Sequence, residues 1–470
     1  MSVKETFKKI FNKFDTADGL GTKEQKMSSF AWMFFYRFLE SYESTQSKRA
    51  ARGGDSFDRI ITDEYTWEKV SETEDDKFLD YINNDLFPYL KEPKAKENPY
   101  TKFCALIFEN TQNYFRNSIQ LKEAFDEFVG LTFSSKEIEE IKGEFESLMD
   151  WLTEGKEQAK KYTHRKLVEL ICDLLDIKGN ETVYDPAFGT AGFLVELLRR
   201  LKEKSGKSSK KSKTVYSSTI HGIEKDPTRF SLGLINLLLE GVNDADLKRQ
   251  NTLNIDVSQY EGDTYDVIAC NPDFNTDEAD DIDKNFFIST NRPDLQFLQH
   301  VMATLKPGGS AALLLPNGVL FGSGKEYEAV KRELIEQFNL KAIIGFPQVT
   351  GGAATSLLFF ENSGKTEKIW YHQIPLIGGK KITKKSYFTD ENFKELRANF
   401  NKCEAGPNSW LVSKTDIEDK NYNFSLNLYD PREKEESELK EPLFYVEAIE
   451  EMLEESSKSV KELKEELNNG

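Results

Sequence analysis

The chain has 470 residues, 38% hydrophobic and 31% charged, which allows a large core and two or three domains. No apolar run is long enough to cross a bilayer, and the N-terminal Met-Ser-Val-Lys-Glu-Thr-Phe has no signal pattern, so neither a membrane helix nor export is expected. The net charge of −18 opposes a protein that grips nucleic acid unaided; any such role calls for local basic patches or a partner. Cys104, Cys172, Cys270 and Cys403 lie far apart with no Cys-x-x-Cys pair, which predicts no structural metal and no disulfide framework and fits a reducing cytoplasm.

Residues 1 to about 150 read as helical. Phe7, Ile10, Phe11 and Phe14 recur at helical spacing, and the aromatic stretch from Phe30 to Leu39 predicts a buried helix. From Tyr162 to about Phe360 short apolar strands alternate with helices, the pattern of a parallel α/β sheet. The predicted strands are Thr182–Tyr184, Thr219–Ile223, Asp266–Ala269, Ala311–Leu315, Ala342–Phe346 and Ser356–Phe360. Between the first two runs the basic stretch Arg199–Lys213, read chiefly as a solvated loop. A smaller mixed region follows Asn362. At the end, Ile449, Leu453, Ser456, Val460, Leu463 and Leu467 alternate spacings of four and three. They form either a short coiled-coil seam or an amphipathic tail on its own chain.

The first predicted strand runs into Asp185-Pro-Ala-Phe-Gly-Thr-Ala-Gly-Phe-Leu194 and then a helix. Small residues at Gly189, Ala191 and Gly192, around Thr190, let a ligand press against backbone where sheet meets helix N-terminus. A dinucleotide site would show Gly-x-Gly-x-x-Gly and an acidic residue about twenty positions on. Here the acidic residue is Glu224, at the end of the second strand, where a carboxylate suits the two ribose hydroxyls of S-adenosylmethionine; the bland reading is a surface acid. Asn251 falls where a third strand should end, as an acceptor for the donor's adenine amine or as a plain turn residue. Lys161-Tyr-Thr-His-Arg165 opens the helix leading into the first strand, with Thr163 as a predicted N-cap whose amides face the donor's carboxylate, or as a simple helix start. His164 and His221 are read as non-catalytic.

The strand through Cys270 delivers Asn271-Pro-Asp-Phe274, which resembles, with one substitution, the Asn-Pro-Pro-Phe loop of amino-methyltransferases. The amine of adenine is a poor nucleophile because its lone pair is spread into the ring. The Asn271 side-chain carbonyl and the Pro272 backbone carbonyl, accepting its two N–H bonds, would localise that lone pair. The Phe274 ring would stack an extrahelical base.

With these pieces in order the chain resembles the modification (M) subunit of type I restriction–modification systems, an N6-adenine DNA methyltransferase. The resemblance runs through Phe30–Leu39, Tyr162-Thr-His-Arg165, Asp185–Leu194, Asn271–Phe274 and Asp294–His300. It continues through Leu305-Lys-Pro-Gly-Gly309, Leu315–Phe321, Leu340–Pro347, Thr355–Glu361 and Tyr422-Asn-Phe-Ser-Leu-Asn427. It implies an α/β, Rossmann-like S-adenosylmethionine-dependent methyltransferase domain (156–430) between an N-terminal helical domain (1–155) and a C-terminal helix (431–470) for subunit assembly. The implied catalytic residues are Asn271, Pro272 and Phe274. Cofactor contacts are implied for Tyr162, Thr163, His164, Arg165, Asp185, Gly189, Thr190, Ala191, Gly192, Glu224 and Asn251. The implied partners are double-stranded DNA, a specificity subunit that reads its sequence, a second M subunit and, in some assemblies, a restriction subunit.

The chain departs from that pattern in places. His164 stands where proline is usual, Phe188 where a small residue is usual and Asn251 where aspartate is more frequent. Asp273 replaces a proline, which removes a φ restraint and puts a carboxylate near a sulfonium cation. Such a charge stabilises the bound donor more than the transition state and slows transfer unless the side chain points away. The competing expectations are therefore a degenerate M-like scaffold that binds cofactor and partners, and, more remotely, methylation of a protein glutamine or an RNA base.

Overall fold

Thr22 starts the longest helix of the N-terminal region with a capping box. Its hydroxyl accepts from Gln25 N at 3.1 Å, and the Gln25 side chain accepts from Thr22 N at 3.0 Å. The helix runs Lys23–Gly53 and stops at Gly54, whose φ of 80° lets the chain turn back onto the last carbonyls. Phe30, Trp32, Phe34, Phe35 and Tyr36 are all fully buried, so the helix is enclosed on every side over this stretch, while its end from Lys48 to Gly53 is largely exposed. Rings from the neighbouring helices close around it, with Phe7 at 5.4 Å from Phe30, Phe87 at 5.0 Å from Trp32 and Trp67 at 5.3 Å from Tyr36. Farther along, buried Glu43 accepts from Ile60 N (2.8 Å), Ile61 N (3.0 Å) and Asn98 Nδ2 (2.6 Å), pinning two loops to the helix. Burial pushes its carboxyl up, against those bonds.

The structure, a computed structural model, describes residues 2–109, 111–152, 163–205, 219–257, 264–274, 285–346, 354–375 and 389–432. The expected domain boundary near residue 155, Tyr162, residues 206–213 of the basic stretch, and nearly all of the expected C-terminal helix (from 433) lie outside these residues. The start of that stretch, expected as loop, is instead the end of helix Gly192–Lys204, with Arg199 and Arg200 ion-paired to Glu240 and Glu196. The helices up to Ser135–Leu152 share one continuous core with a face of the sheet, including Phe30, Leu167, Val183, Leu357 and Trp370. The link is helix Pro227–Leu239, which packs on helix Lys23–Gly53. All four cysteines are free. Among the described residues no helix is long and apolar enough to cross a membrane.

The sheet contains β1 (Val183–Asp185), β2 (Ile220–Glu224), β3 (Asp246–Arg249), β4 (Tyr265–Cys270), β5 (Leu305–Pro316), β6 (Asn339–Gly345), β7 (Thr355–Glu361), β8 (Lys368–Gln373) and β9 (Ser409–Ser413), in the order β3-β2-β1-β4-β5-β7-β6-β8-β9. All six predicted strands form. The expectation of an all-parallel sheet is corrected at β7, which lies antiparallel between β5 and β6. Residues 346–354, between β6 and β7, are too few for the crossover of roughly a dozen residues that a parallel return needs. Strands β8 and β9, the latter antiparallel, extend the sheet into the region after Asn362. The Tyr422–Asn427 block packs inward through Tyr422, Phe424 and Leu426.

From β1 the chain winds outward through β2 and β3, then returns to place β4 on the other side of β1. The strand order therefore reverses between β1 and β4, and a crevice opens beyond their carboxyl ends.

Glu43→Ala strands three buried donors and is expected to cost about 2–4 kcal/mol, read as a fall in thermal midpoint, with Glu43→Gln losing less because it keeps an acceptor.

Candidate active site

Four strand ends supply the crevice. β1 ends at Asp185, whose buried carboxylate accepts from Ala187 N at 3.0 Å and bends the chain into residues 186–190. Burial pushes the Asp185 carboxyl up to about 7; nearby Glu224 adds to the rise, while hydrogen bonds from Ala187 N and the Cys270 thiol oppose it. Gly189 (φ 56°) and Ala191 (φ 63°) take left-handed backbone before helix Gly192–Lys204 begins. A Cβ on Gly189 would meet nothing within 4 Å, so this bare backbone faces open space.

β2 ends at Glu224, which is buried. One carboxylate oxygen accepts from Gly189 N at 2.9 Å and the other from Asp226 N at 2.7 Å, tying the glycine loop to the neighbouring strand. Burial raises the Glu224 carboxyl and the Arg229 guanidinium lowers it, burial being the larger effect. Phe188, the larger residue in the loop, turns its ring into the seam between β2 and helix Pro227–Leu239, 5.4 Å from the Phe230 ring. Two glycines make the room: a Cβ on Gly222 or on Gly233 would come within 2.7 Å of the Phe188 ring.

β4 delivers Asn271-Pro-Asp-Phe274. The Asn271 amino group donates to Thr163 Oγ1 at 2.8 Å, which turns the side-chain carbonyl the other way. Pro272 is buried, and Phe274 is half-buried with its ring edge-on to Phe297 at 6.3 Å. Asp273 points toward helix Pro227–Leu239, its carboxylate 3.9 Å from Arg229 Nη2.

The crevice has about 950 Å³ of unfilled space open to solvent, and among its lining residues are Thr163, Asp185, Gly189, Thr190, Gly192, Glu224, Asn251 and Asn271. Ala191 is buried beneath it. His164, Arg165, Pro272 and Phe274 are not among the lining residues. The expected N-cap is corrected: helix Arg165–Leu174 is capped by His164, whose Nδ1 accepts from Lys166 N at 3.3 Å, because Thr163 lies one residue too early and its hydroxyl meets Asn271. The imidazole thus serves where proline was expected. Arg165 is drawn away from the crevice into ion pairs with Glu146 and with Glu169, the latter at 2.9 Å. Asn251 lines the crevice while its Oδ1 accepts from Leu253 N at 3.1 Å, the geometry of a turn residue. The sequence reading missed Arg229 and Phe297. Phe297 lies within the Asp294–His300 block, which assigns it no role, and Arg229 lies in no motif; each sits on a helix that meets the site across the fold.

A sheet that reverses at β1, an acidic residue ending β2, a bare glycine loop after β1 and an Asn-Pro loop after β4 define a Rossmann-like S-adenosylmethionine-dependent methyltransferase. Residues 139–438 match the N-6 DNA methylase family, and the chain belongs to that family. It is 28% identical over 450 residues, 91% of this chain and 90% of the relative, to the type I restriction enzyme EcoEI methylase subunit of Escherichia coli. It is 31% identical over 258 residues to the EcoKI methylase subunit of Escherichia coli K12, covering 49% and 47% of the two chains. A chain from a structure of the type I R-M system superposes with a TM-score of 0.77 at 29% identity, covering 99% of this chain and 98% of the other. The resemblance to type I modification subunits and the methyltransferase fold are both borne out.

Two outcomes are expected. Gly233→Ala places a Cβ 2.7 Å from the Phe188 ring and 3.0 Å from Gly189 O, forcing helix and glycine loop apart. It should cost about 1–3 kcal/mol in denaturant unfolding, part of it recovered by adding Phe188→Leu.

The second concerns pH. Asp185 ionises near 3.8 when unfolded and near 7 in the fold, so the folded state holds the extra proton and stability falls as pH rises through that interval. Asp185→Asn keeps the acceptor for Ala187 N and abolishes the titration. The variant's thermal midpoint should therefore lose less than the parent's between pH 5 and pH 8.

Proposed function

We propose that the chain is the methylase subunit of a type I restriction–modification assembly, transferring a methyl group from S-adenosylmethionine to N6 of an adenine turned out of the duplex at a specific DNA site. The observation that carries this reading is the Thr163–Asn271 hydrogen bond. It commits the Asn271 amino group and leaves the carbonyl oxygen to accept from a substrate amine.

The residues present fit the donor. The Glu224 carboxylate, at the end of β2, would accept from ribose hydroxyls, and the bare backbone at Gly189 would admit a ligand where a side chain would block it. Asp185 and Asn251 complete the polar wall. When bound, S-adenosylmethionine supplies a methyl group made electrophilic by its sulfonium charge. Asn271 Oδ1 and the Pro272 carbonyl would accept the two N–H bonds of the amine and draw its lone pair out of the ring. Phe274, held edge-on by Phe297, offers a face for the base.

An adenine amine inside a duplex is paired and out of reach, so the proposed transfer calls for an extrahelical base. The charge of −18 supports a division of labour in which a specificity subunit supplies the main DNA contacts, a second methylase subunit closes the complex and a restriction subunit can add to it. The segment 431–470 is proposed as the assembly helix and residues 1–155 as the helical domain beside the methyltransferase domain. The scaffold reading loses its main support, because the Asp273 carboxylate faces a guanidinium.

The test is mass spectrometry of N6-methyladenine in DNA from methylation-free cells co-expressing this chain with its specificity subunit. Methyladenine is expected with the parent and absent with Asn271→Ala. Thr163→Val should slow transfer roughly tenfold to a hundredfold through misorientation of Asn271, while Thr163→Ser retains activity. Methylation that survives Asn271→Ala overturns the reading.

A further inference from the structure

We infer that Asp273 is a positioning residue: through Arg229 it ties the target-amine loop to the carboxylate at the end of β2 and so replaces the restraint that proline gives this loop elsewhere. The inference rests on the function proposed above and concerns a position where this chain departs from the Asn-Pro-Pro-Phe pattern.

The geometry centres on one guanidinium nitrogen. Arg229 Nη2 lies 3.8 Å from Glu224 Oε1 and 3.9 Å from Asp273 Oδ2, within ion-pair reach of both. The Arg229 side chain is 12% exposed and that of Asp273 21%, so neither is a solvated surface charge. Arg229 projects from the first turn of helix Pro227–Leu239, where its backbone N–H donates to Asp226 Oδ1 at 2.8 Å. That helix is held against the glycine loop by Gly233 and Phe188. Arg229 is therefore a fixed anchor for a loop that lacks a second proline.

The same contact answers the charge problem. A bare carboxylate beside a sulfonium would favour the bound donor over the transition state, in which the positive charge disperses. Arg229 supplies a countercharge and turns Asp273 away from that role. It also holds two carboxylates near one another that would otherwise repel. Because one guanidinium serves both the donor-side Glu224 and the target-side Asp273, the two halves of the crevice are mechanically joined.

The test uses the chain in complex with its specificity subunit, reading kcat at saturating donor and DNA, with the donor Kd measured by calorimetry. Asp273→Asn should lower kcat about tenfold while leaving the donor Kd within about twofold, the signature of a misplaced loop rather than a damaged donor site. Asp273→Pro should restore kcat to within about threefold of the parent by returning the φ restraint. Arg229→Met should lower kcat and weaken donor binding, and adding Asp273→Asn to it should cost nothing more, since the tie is already cut. Parental kcat in Asp273→Asn, no recovery in Asp273→Pro, or multiplicative losses in the double variant would each overturn the inference. Asn271→Ala is run alongside: activity surviving there defeats the proposed function itself, whereas an inactive Asn271→Ala beside a fully active Asp273→Asn defeats only the tie.

Discussion

Strands β1 and β4 lie side by side although the chain between them makes β2 and β3, and every functional group depends on the crevice that this order leaves. At a reversal of strand order the following loops diverge, one to each side, so backbone polar groups and side chains at the strand ends face a gap instead of a neighbour. Asp185, Glu224 and Asn271 end or directly follow β1, β2 and β4. These polar groups therefore face one crevice because of topology, and the side chains need only local bonds to be aimed.

Those local bonds are mostly to carboxylates, and this shapes the electrostatics. Asp185, Glu224, Asp226 and Asp273 gather around Arg229 and the amides of residues 187, 189 and 226. Burial raises Asp185 and Glu224, which marks them as groups held in place against their preference for water. Burying such a cluster of carboxylates is costly, and the hydrogen bonds and the Arg229 guanidinium offset only part of that cost.

Much of this was legible in the sequence because each strand carries its functional residue at its own end. Asp185, Gly189, Glu224 and Asn271 could be read from patterns a few residues long, as could the strands that precede them. The signals that failed were non-local. Thr163 and Asn271 are more than a hundred positions apart, so the hydroxyl was assigned to the nearest helix instead of to the amide it meets. Phe188 looked like a misfit because its two compensating glycines, Gly222 and Gly233, lie on other elements. The third strand expected to end near Asn251 forms as β3 (Asp246–Arg249), whereas β8 and β9 lie in the mixed region after Asn362, where no strand is predicted, and the direction of β7 depends on a connection length more than on any periodicity.

Helix Pro227–Leu239 touches the N-terminal helices, the glycine loop and the Asn271–Phe274 loop. One side of it packs on helix Lys23–Gly53, another admits Phe188 at Gly233, and its first turn carries Arg229 toward Glu224 and Asp273. The N-terminal helices thus share a core with the element that shapes the donor loop. The core is continuous across this contact, so a hinge between the N-terminal helices and the β1–β4 half of the sheet would have to expose buried apolar surface to water. Under the proposed function, closure around a duplex would come from movement between subunits and not from within this core.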